Sequence, residues 1–115
     1  MRIPESEKAF SSWFLDLAHL YGYRAAHFRP AQNSKGQWRT AVAGDGVGFP
    51  DWFLVRENEK YPHILEGRLI AVELKGSGGE LTGDQADWLL ALMNGGAEAY
   101  CFWPEQREEI EACLK

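Results

Sequence analysis

Residues 68–85 of the chain, RLIAVELKGSGGELTGDQ, begin with an apolar run that carries two charged side chains. The run RLIAVELK has the length and composition of a buried strand. Because strand side chains alternate between faces, Glu73 and Lys75 are expected to point one way and the aliphatic residues between them the other way. Burial of an unpaired carboxylate is costly, so Glu73 needs an ion or a partner. Taken alone, the two charges are explained by a surface salt bridge at the strand end.

A second acidic residue stands at the start of the preceding predicted strand, in GFPDWFLVR. The strands DWFLVR and RLIAVELK are close in sequence, which predicts an antiparallel pair and places Asp51 beside Glu73 and Lys75. Two carboxylates that converge where a sheet opens favour a hard divalent cation with oxygen ligands. For Asp51 alone, a proline-containing turn with a local hydrogen-bond acceptor is an alternative explanation.

The remaining patterns predict one α/β domain over residues 1–115, with a mixed central sheet and flanking helices in the order α-β-β-β-α-β-α. The first helix is expected over residues 5–21, and the second begins after an N-cap at Thr82. Leu89, Leu90 and Met93 are predicted to form the apolar side of the second helix. The strand–helix–strand unit that ends with AEAYCFW predicts a parallel, right-handed crossover. The stretch 30–47 is predicted to be a loop, and 57–67 a connector.

Charge is unevenly distributed along the 115 residues, whose net charge is −5. No Asp or Glu occurs from residue 17 to residue 44, where four basic residues lie. This segment could face a phosphate backbone, although from charge alone a solvated loop that happens to lack acidic residues is the preferred explanation. No apolar run reaches the roughly 18 residues of a membrane span, and the N-terminus lacks a signal-peptide pattern, so a cytoplasmic protein is expected.

The order Asp51, VELK with Glu73 and Lys75, and then Gln85 resembles the PD-(D/E)XK nuclease superfamily. The finer resemblance is to its VRR-Nuc family. It rests on SEKAF opening a helix, GFPDWFLV, LIAVELKG, LTGDQADWLLALMNGGAEAYCFW and a short closing helix. It covers nearly the whole chain and implies a restriction endonuclease-like core.

The resemblance also implies a metal site and a role for each of its residues. Asp51 and Glu73 would bind Mg²⁺ or Mn²⁺, with the backbone carbonyl of Leu74 as a further ligand. Lys75 would orient or help deprotonate the attacking water and stabilise the charge that develops on the phosphate.

Two further residues match the family pattern but have a structural alternative. The resemblance implies that Gln85 positions the water or the phosphate. The segment TGDQ (82–85) also fits a capping box, in which Gln85 reaches back to the Thr82 amide. Glu7 matches an acidic residue of the first helix in the superfamily, and it could instead stabilise the positive helix N-terminus.

The function implied by the resemblance is a metal-dependent endonuclease that hydrolyses DNA. Holliday junctions, flaps or other branched DNA of the kind processed in DNA repair are the implied substrates, and small members can act as homodimers. Arg29, Lys35, Trp38 and Arg39 would then contact DNA, with Trp38 able to stack on an unpaired base. The segments 30–47 and 57–67 are longer than in compact members, which leaves substrate preference and dimer geometry open.

Two other functions fit the same residues. The chain could be a catalytically inactive DNA-binding or assembly module that keeps the nuclease fold. It could also be an α/β interaction domain in which Glu73 and Lys75 form a structural ion pair.

Overall fold

A computed structural model describes residues 3–28, 31–32, 34–36, 38–39, 42–58 and 67–115. The helices are α1 (Ile3–Leu20), α2 (Gly83–Asn94) and α3 (Arg107–Leu114), and a 3₁₀ turn over Pro104–Gln106 precedes α3. The strands are β1 (Arg24–His27), β2 (Ala31–Gln32), β3 (Trp38–Arg39), β4 (Trp52–Arg56), β5 (Arg68–Leu74) and β6 (Glu98–Phe102).

The central sheet has four strands in the order β1-β4-β5-β6. β4 pairs antiparallel with both β1 and β5, whereas β5 and β6 are parallel and are connected through α2. The predicted antiparallel pair, the parallel crossover unit and the α/β class with a mixed sheet are therefore confirmed.

The hydrophobic core lies on the sheet face that α1 and α3 cover. Phe10 and Phe14 of α1 are almost fully buried, because their spacing of four residues places both on one face of the helix. Phe14 meets the Trp52 ring edge-on at 5.1 Å between centroids. The other buried members of this cluster are Leu17, Ala18, Tyr23, Leu54, Ile70, Val72, Leu74, Phe102, Ile110 and Leu114.

Helix α2 packs on β5 and β6, and its orientation differs from the prediction. Leu89 is buried, but Leu90 and Met93 are 63% and 52% exposed, so the predicted apolar side was wrong for these two residues. Leu89 is instead accompanied on the less exposed side of α2 by the half-buried Gln85 and Trp88.

The segment predicted as a loop contains a short two-stranded sheet, in which β2 pairs antiparallel with β3. Residues 59–66 of the predicted connector lie outside the described residues. Among the residues that are described, no helix has both the length and the hydropathy that a membrane crossing requires.

An ion-pair network ties the two middle strands to α3 at the end of the sheet where β5 begins. Arg68 donates to both Glu98 carboxylate oxygens, from Nε at 2.7 Å and from Nη2 at 2.6 Å. Its Nη1 donates to the Tyr23 hydroxyl and to the Cys113 carbonyl. Arg56 donates to the carbonyl of Leu114, so two arginines satisfy carbonyls at the C-terminus of α3.

Candidate active site

The start of β4 and the end of β5 bring two carboxyl groups together. Trp52 pairs with Val72 in the antiparallel ladder, so the preceding Asp51 lies beside Glu73. The carbonyl of Asp51 also accepts a hydrogen bond from the Phe28 amide at 2.7 Å, which fixes this backbone against the end of β1. Ladder register and a backbone hydrogen bond thus hold the acidic pair at one end of the two middle strands.

Burial and mutual repulsion make this pair electrostatically unfavourable. Glu73 is only 3% exposed, and with both groups ionised its Oε1 is buried without a hydrogen-bond donor. Burial, followed by the negative charge of Asp51, raises the pKa of Glu73 to about 8. Burial also raises the pKa of Asp51, and the charge of Glu7 adds to that rise. Such groups favour a proton or a cation between them.

A lysine and a glutamine complete the cluster. Lys75 Nζ lies 3.9 Å from Glu73 Oε2 and donates to Gln85 Oε1 at 2.8 Å. Gln85 Nε2 donates to Glu73 Oε2 at 3.3 Å. The capping box predicted at Thr82 is present as well, so Gln85 caps α2 and contacts Lys75 and Glu73 at the same time.

An aromatic cluster behind Asp51 positions the loop that carries it. Phe49 meets the Trp88 ring edge-on at 5.0 Å and stacks on Phe53 at 5.4 Å. Trp88 Nε1 donates to the Asp45 carbonyl at 2.9 Å. Helix α2 therefore supports the loop before β4 as well as supplying Gln85.

Gly48 of this loop lies directly against the first turn of α2. Its φ is 84°, and a Cβ at this position would lie 2.5 Å from the backbone carbon of Asp84. We expect Gly48→Ala to destabilise the fold by at least about 2 kcal/mol, because left-handed strain and overlap with backbone add up. Gly44→Ala is the matched control, since Gly44 has φ 72° but open space around its Cβ position. Chemical denaturation of both variants measures the difference, and equal losses would mean that the loop does not dock on α2.

The other residues predicted for the site are placed as follows. Glu7 is exposed on α1, within electrostatic range of Asp51. Leu74 is the last residue of β5, and the next amide, that of Lys75, donates to the Phe102 carbonyl.

The residues predicted to contact DNA precede the acidic pair in sequence, and the structure describes only some of them. Lys35 is exposed. Trp38 and Arg39 form β3, but their side chains are outside what the structure describes, as is the whole of Arg29.

Contacts that hold the loop after β5 were not predicted from the sequence. Trp103 Nε1 donates to the Gly79 carbonyl at 2.7 Å, and Ser77 Oγ donates to Glu105 Oε2 at 2.5 Å. Both contacts join residues more than 20 positions apart, and no local pattern marks them. The pairing of β5 with β6 is the feature that brings them together.

The carboxylate oxygens at this site are of the kind that Mg²⁺ and Mn²⁺ prefer. Within the described part of the chain, no three His, Cys, Asp or Glu side chains are grouped closely enough to hold a metal ion. Mg²⁺ nevertheless needs only one or two protein carboxylates, because water and substrate phosphate supply its other ligands. Asp51 and Glu73 meet that requirement, and the unsatisfied Glu73 Oε1 offers a buried ligand atom.

A four-stranded mixed sheet flanked by helices, with an acidic pair at its open end, is a restriction endonuclease-like α/β fold. The family model described as the VRR-NUC domain matches residues 4–113. The chain belongs to this family, and its function is accordingly of the nuclease type, in DNA processing. Neither the curated proteins nor the solved structures contained a significant match.

Proposed function

We propose that the protein is a divalent-metal-dependent endodeoxyribonuclease whose active site is formed by Asp51, Glu73 and Lys75. The observation that carries this proposal is the buried acidic pair, in which Glu73 Oε1 lacks a donor while an ammonium group lies 3.9 Å from Oε2. A structural ion pair would leave neither a second carboxylate nor an unsatisfied oxygen at this place.

The chemistry of phosphodiester hydrolysis matches these groups. Bound Mg²⁺ or Mn²⁺ would supply a Lewis acid and lower the pKa of a nearby water. Asp51 and Glu73 would hold the ion, with the Leu74 carbonyl as a further ligand. Lys75 would stabilise negative charge that develops on the phosphate. Gln85, which contacts Lys75 and Glu73, would orient the groups around the water, and Glu7 would add negative charge at the edge of the site.

The proposed substrate is branched or otherwise structured DNA, such as a Holliday junction or a flap, and the proposed active unit is a homodimer. Support comes from the family resemblance and from the segment 17–44, which has four basic residues and no acidic one. Lys35 is exposed in this segment, and Trp38 and Arg39 are neighbours in β3. Phosphate contacts and base stacking by such residues suit DNA with unpaired bases. Two linked active sites would suit a two-fold symmetric junction.

Cleavage assays test this proposal directly. Purified protein is mixed with junction, flap and linear duplex DNA, in Mg²⁺ or Mn²⁺ and then in EDTA. We expect cutting only with metal, more of it on branched DNA, and a loss of about 100-fold or more for Asp51→Asn. Asp87→Asn, which changes an exposed acid on α2, is the control and should leave the rate unchanged. DNA binding without cleavage in any metal would instead support an inactive module.

A further inference from the structure

The side-chain amide of Gln85 is fixed in one orientation by three hydrogen bonds. Its Oε1 accepts from the Thr82 amide at 2.9 Å and from Lys75 Nζ at 2.8 Å. Its Nε2 donates to Glu73 Oε2 at 3.3 Å. Two obligate donors converge on Oε1, so this atom is the amide oxygen, and a rotated amide would lose all three contacts.

Thr82 determines where this amide lies. The Thr82 side chain accepts a hydrogen bond from the Gln85 amide N–H at 3.2 Å, and its backbone N–H donates to the Gln85 side chain. The Thr82 carbonyl also accepts from the Ala86 amide at 3.0 Å. The first turn of α2 and the position of Gln85 Oε1 are therefore set by the same residue.

The contact with Gln85 keeps the Lys75 ammonium from pairing closely with the acidic pair. Lys75 Nζ lies 2.8 Å from Gln85 Oε1 but 3.9 Å from Glu73 Oε2, which is beyond hydrogen-bond distance. The Lys75 side chain is 15% exposed and that of Glu73 is 4% exposed, so little water is present to weaken the attraction between the two charges. Without the amide, the flexible lysine stem would let Nζ move onto Oε2 and pair closely with the carboxylate that would hold the cation.

We infer that Thr82 is a positioning residue, which holds the Lys75 ammonium at its working distance from Glu73 by fixing the Gln85 amide through the helix cap. This inference rests on the proposed nuclease function and extends it to a residue that touches neither substrate nor metal. A helix cap with a purely structural role would affect stability alone.

The test compares three variants. Thr82→Ala removes the side-chain acceptor of the cap and keeps only the backbone N–H that donates to Gln85 Oε1. Thr82→Ser retains a hydroxyl acceptor, and Ala91→Gly weakens the same helix at an exposed position far from the cap. With Mn²⁺ and the best-cut DNA, we expect Thr82→Ala to lower kcat about 10-fold or more with KM unchanged, since small misplacements in a site are expensive. Thr82→Ser should recover most of that loss. Ala91→Gly should lower the melting temperature comparably but leave kcat unchanged.

A second measurement does not depend on activity. Nuclear magnetic resonance relaxation of the Gln85 side-chain NH₂ group should show a rigid amide in the wild type, Thr82→Ser and Ala91→Gly, and a mobile one in Thr82→Ala. Equal kcat or equal amide rigidity for Thr82→Ala and Ala91→Gly would overturn the inference. If the wild type does not cut DNA at all, the proposed function fails, while the relaxation data still decide whether Thr82 positions Gln85.

Discussion

Replacing Glu73 with glutamine is expected to stabilise the metal-free protein at pH 9 while abolishing DNA cleavage. The native state holds the Glu73 carboxyl in a buried position beside Asp51, which raises its pKa to about 8. At pH 9 the ionised group therefore opposes folding, by an amount on the order of a few kcal/mol. Glutamine has nearly the same shape, carries no charge and can still accept from Gln85 Nε2. Chemical denaturation in EDTA and cleavage assays in Mn²⁺ measure the two effects.

The pH dependence of wild-type stability follows from the raised pKa of Glu73. The unfolded chain releases the Glu73 proton near the ordinary value of 4.5, whereas the native state keeps it up to about pH 8. Between these values the native state binds more protons than the unfolded state, so the free energy of unfolding falls as the pH rises. In Glu73→Gln this decline should be much smaller. A variant whose stability falls with pH as steeply as that of the wild type would contradict the assigned pKa shift.

Glu98→Gln is the matched control, because it makes the same chemical change on the adjacent strand. The expected change in the free energy of unfolding has the opposite sign. The paired Arg68 guanidinium lowers the pKa of Glu98, so ionised Glu98 stabilises the fold above the unfolded value and this contribution is lost as the pH falls. The variant should therefore be less stable than the wild type at neutral pH. The Glu98 side chain is 35% exposed, so solvent screening makes its effect smaller than that of Glu73. Destabilisation by both substitutions would show that any change at these glutamates is harmful and would remove the argument for a strained acidic pair.

The sequence was sufficient to predict the strand pairing at the site, because that pairing depends on local rules. The alternation in RLIAVELK fixes which residues share a face, and the short spacing from DWFLVR favours an antiparallel neighbour. Those two facts bring Asp51 to Glu73 without knowledge of the rest of the fold. The capping box at Thr82 is equally local and was equally visible.

The features that the sequence did not predict depend on how separate elements pack. The pattern of α2 predicted Leu90 and Met93 on its apolar side, but the helix packs by Leu89 and Trp88, and periodicity alone cannot select between such faces. Gln85 bonds both to its own helix cap and to Lys75 of β5, and no local pattern predicts that one amide makes both contacts, because they depend on how α2 lies against β5. The ion pair between Arg68 and Glu98 lowers the pKa of Glu98, whereas the pKa of Glu73 is raised. This ion pair likewise requires β6 to lie beside β5.

Lys75→Met is expected to separate metal binding from catalysis. The substitution keeps most of the apolar side chain and removes the ammonium group, so charge on the phosphate would lose its stabilisation. We expect kcat to fall about 10²- to 10³-fold, the size of effect seen when one preorganised electrostatic donor is removed. Asp51 and Glu73 remain, so Mn²⁺ should still raise the melting temperature by mass action. Cleavage assays and thermal unfolding with and without Mn²⁺ measure the two properties.

The combination of results for Lys75→Met identifies the role of the ammonium group. Lys75 lowers the pKa of both Asp51 and Glu73, so its loss should make the two carboxyls hold protons more strongly and make metal stabilisation more dependent on high pH. Lys115→Met, at an exposed position in the last residue of the chain, controls for the change in net charge. Unchanged cleavage by Lys75→Met would remove this residue from the site. Lost cleavage together with lost metal stabilisation at pH 9 would mean that the lysine organises the acidic pair, since a group that acts only on the phosphate leaves the ion's ligands intact.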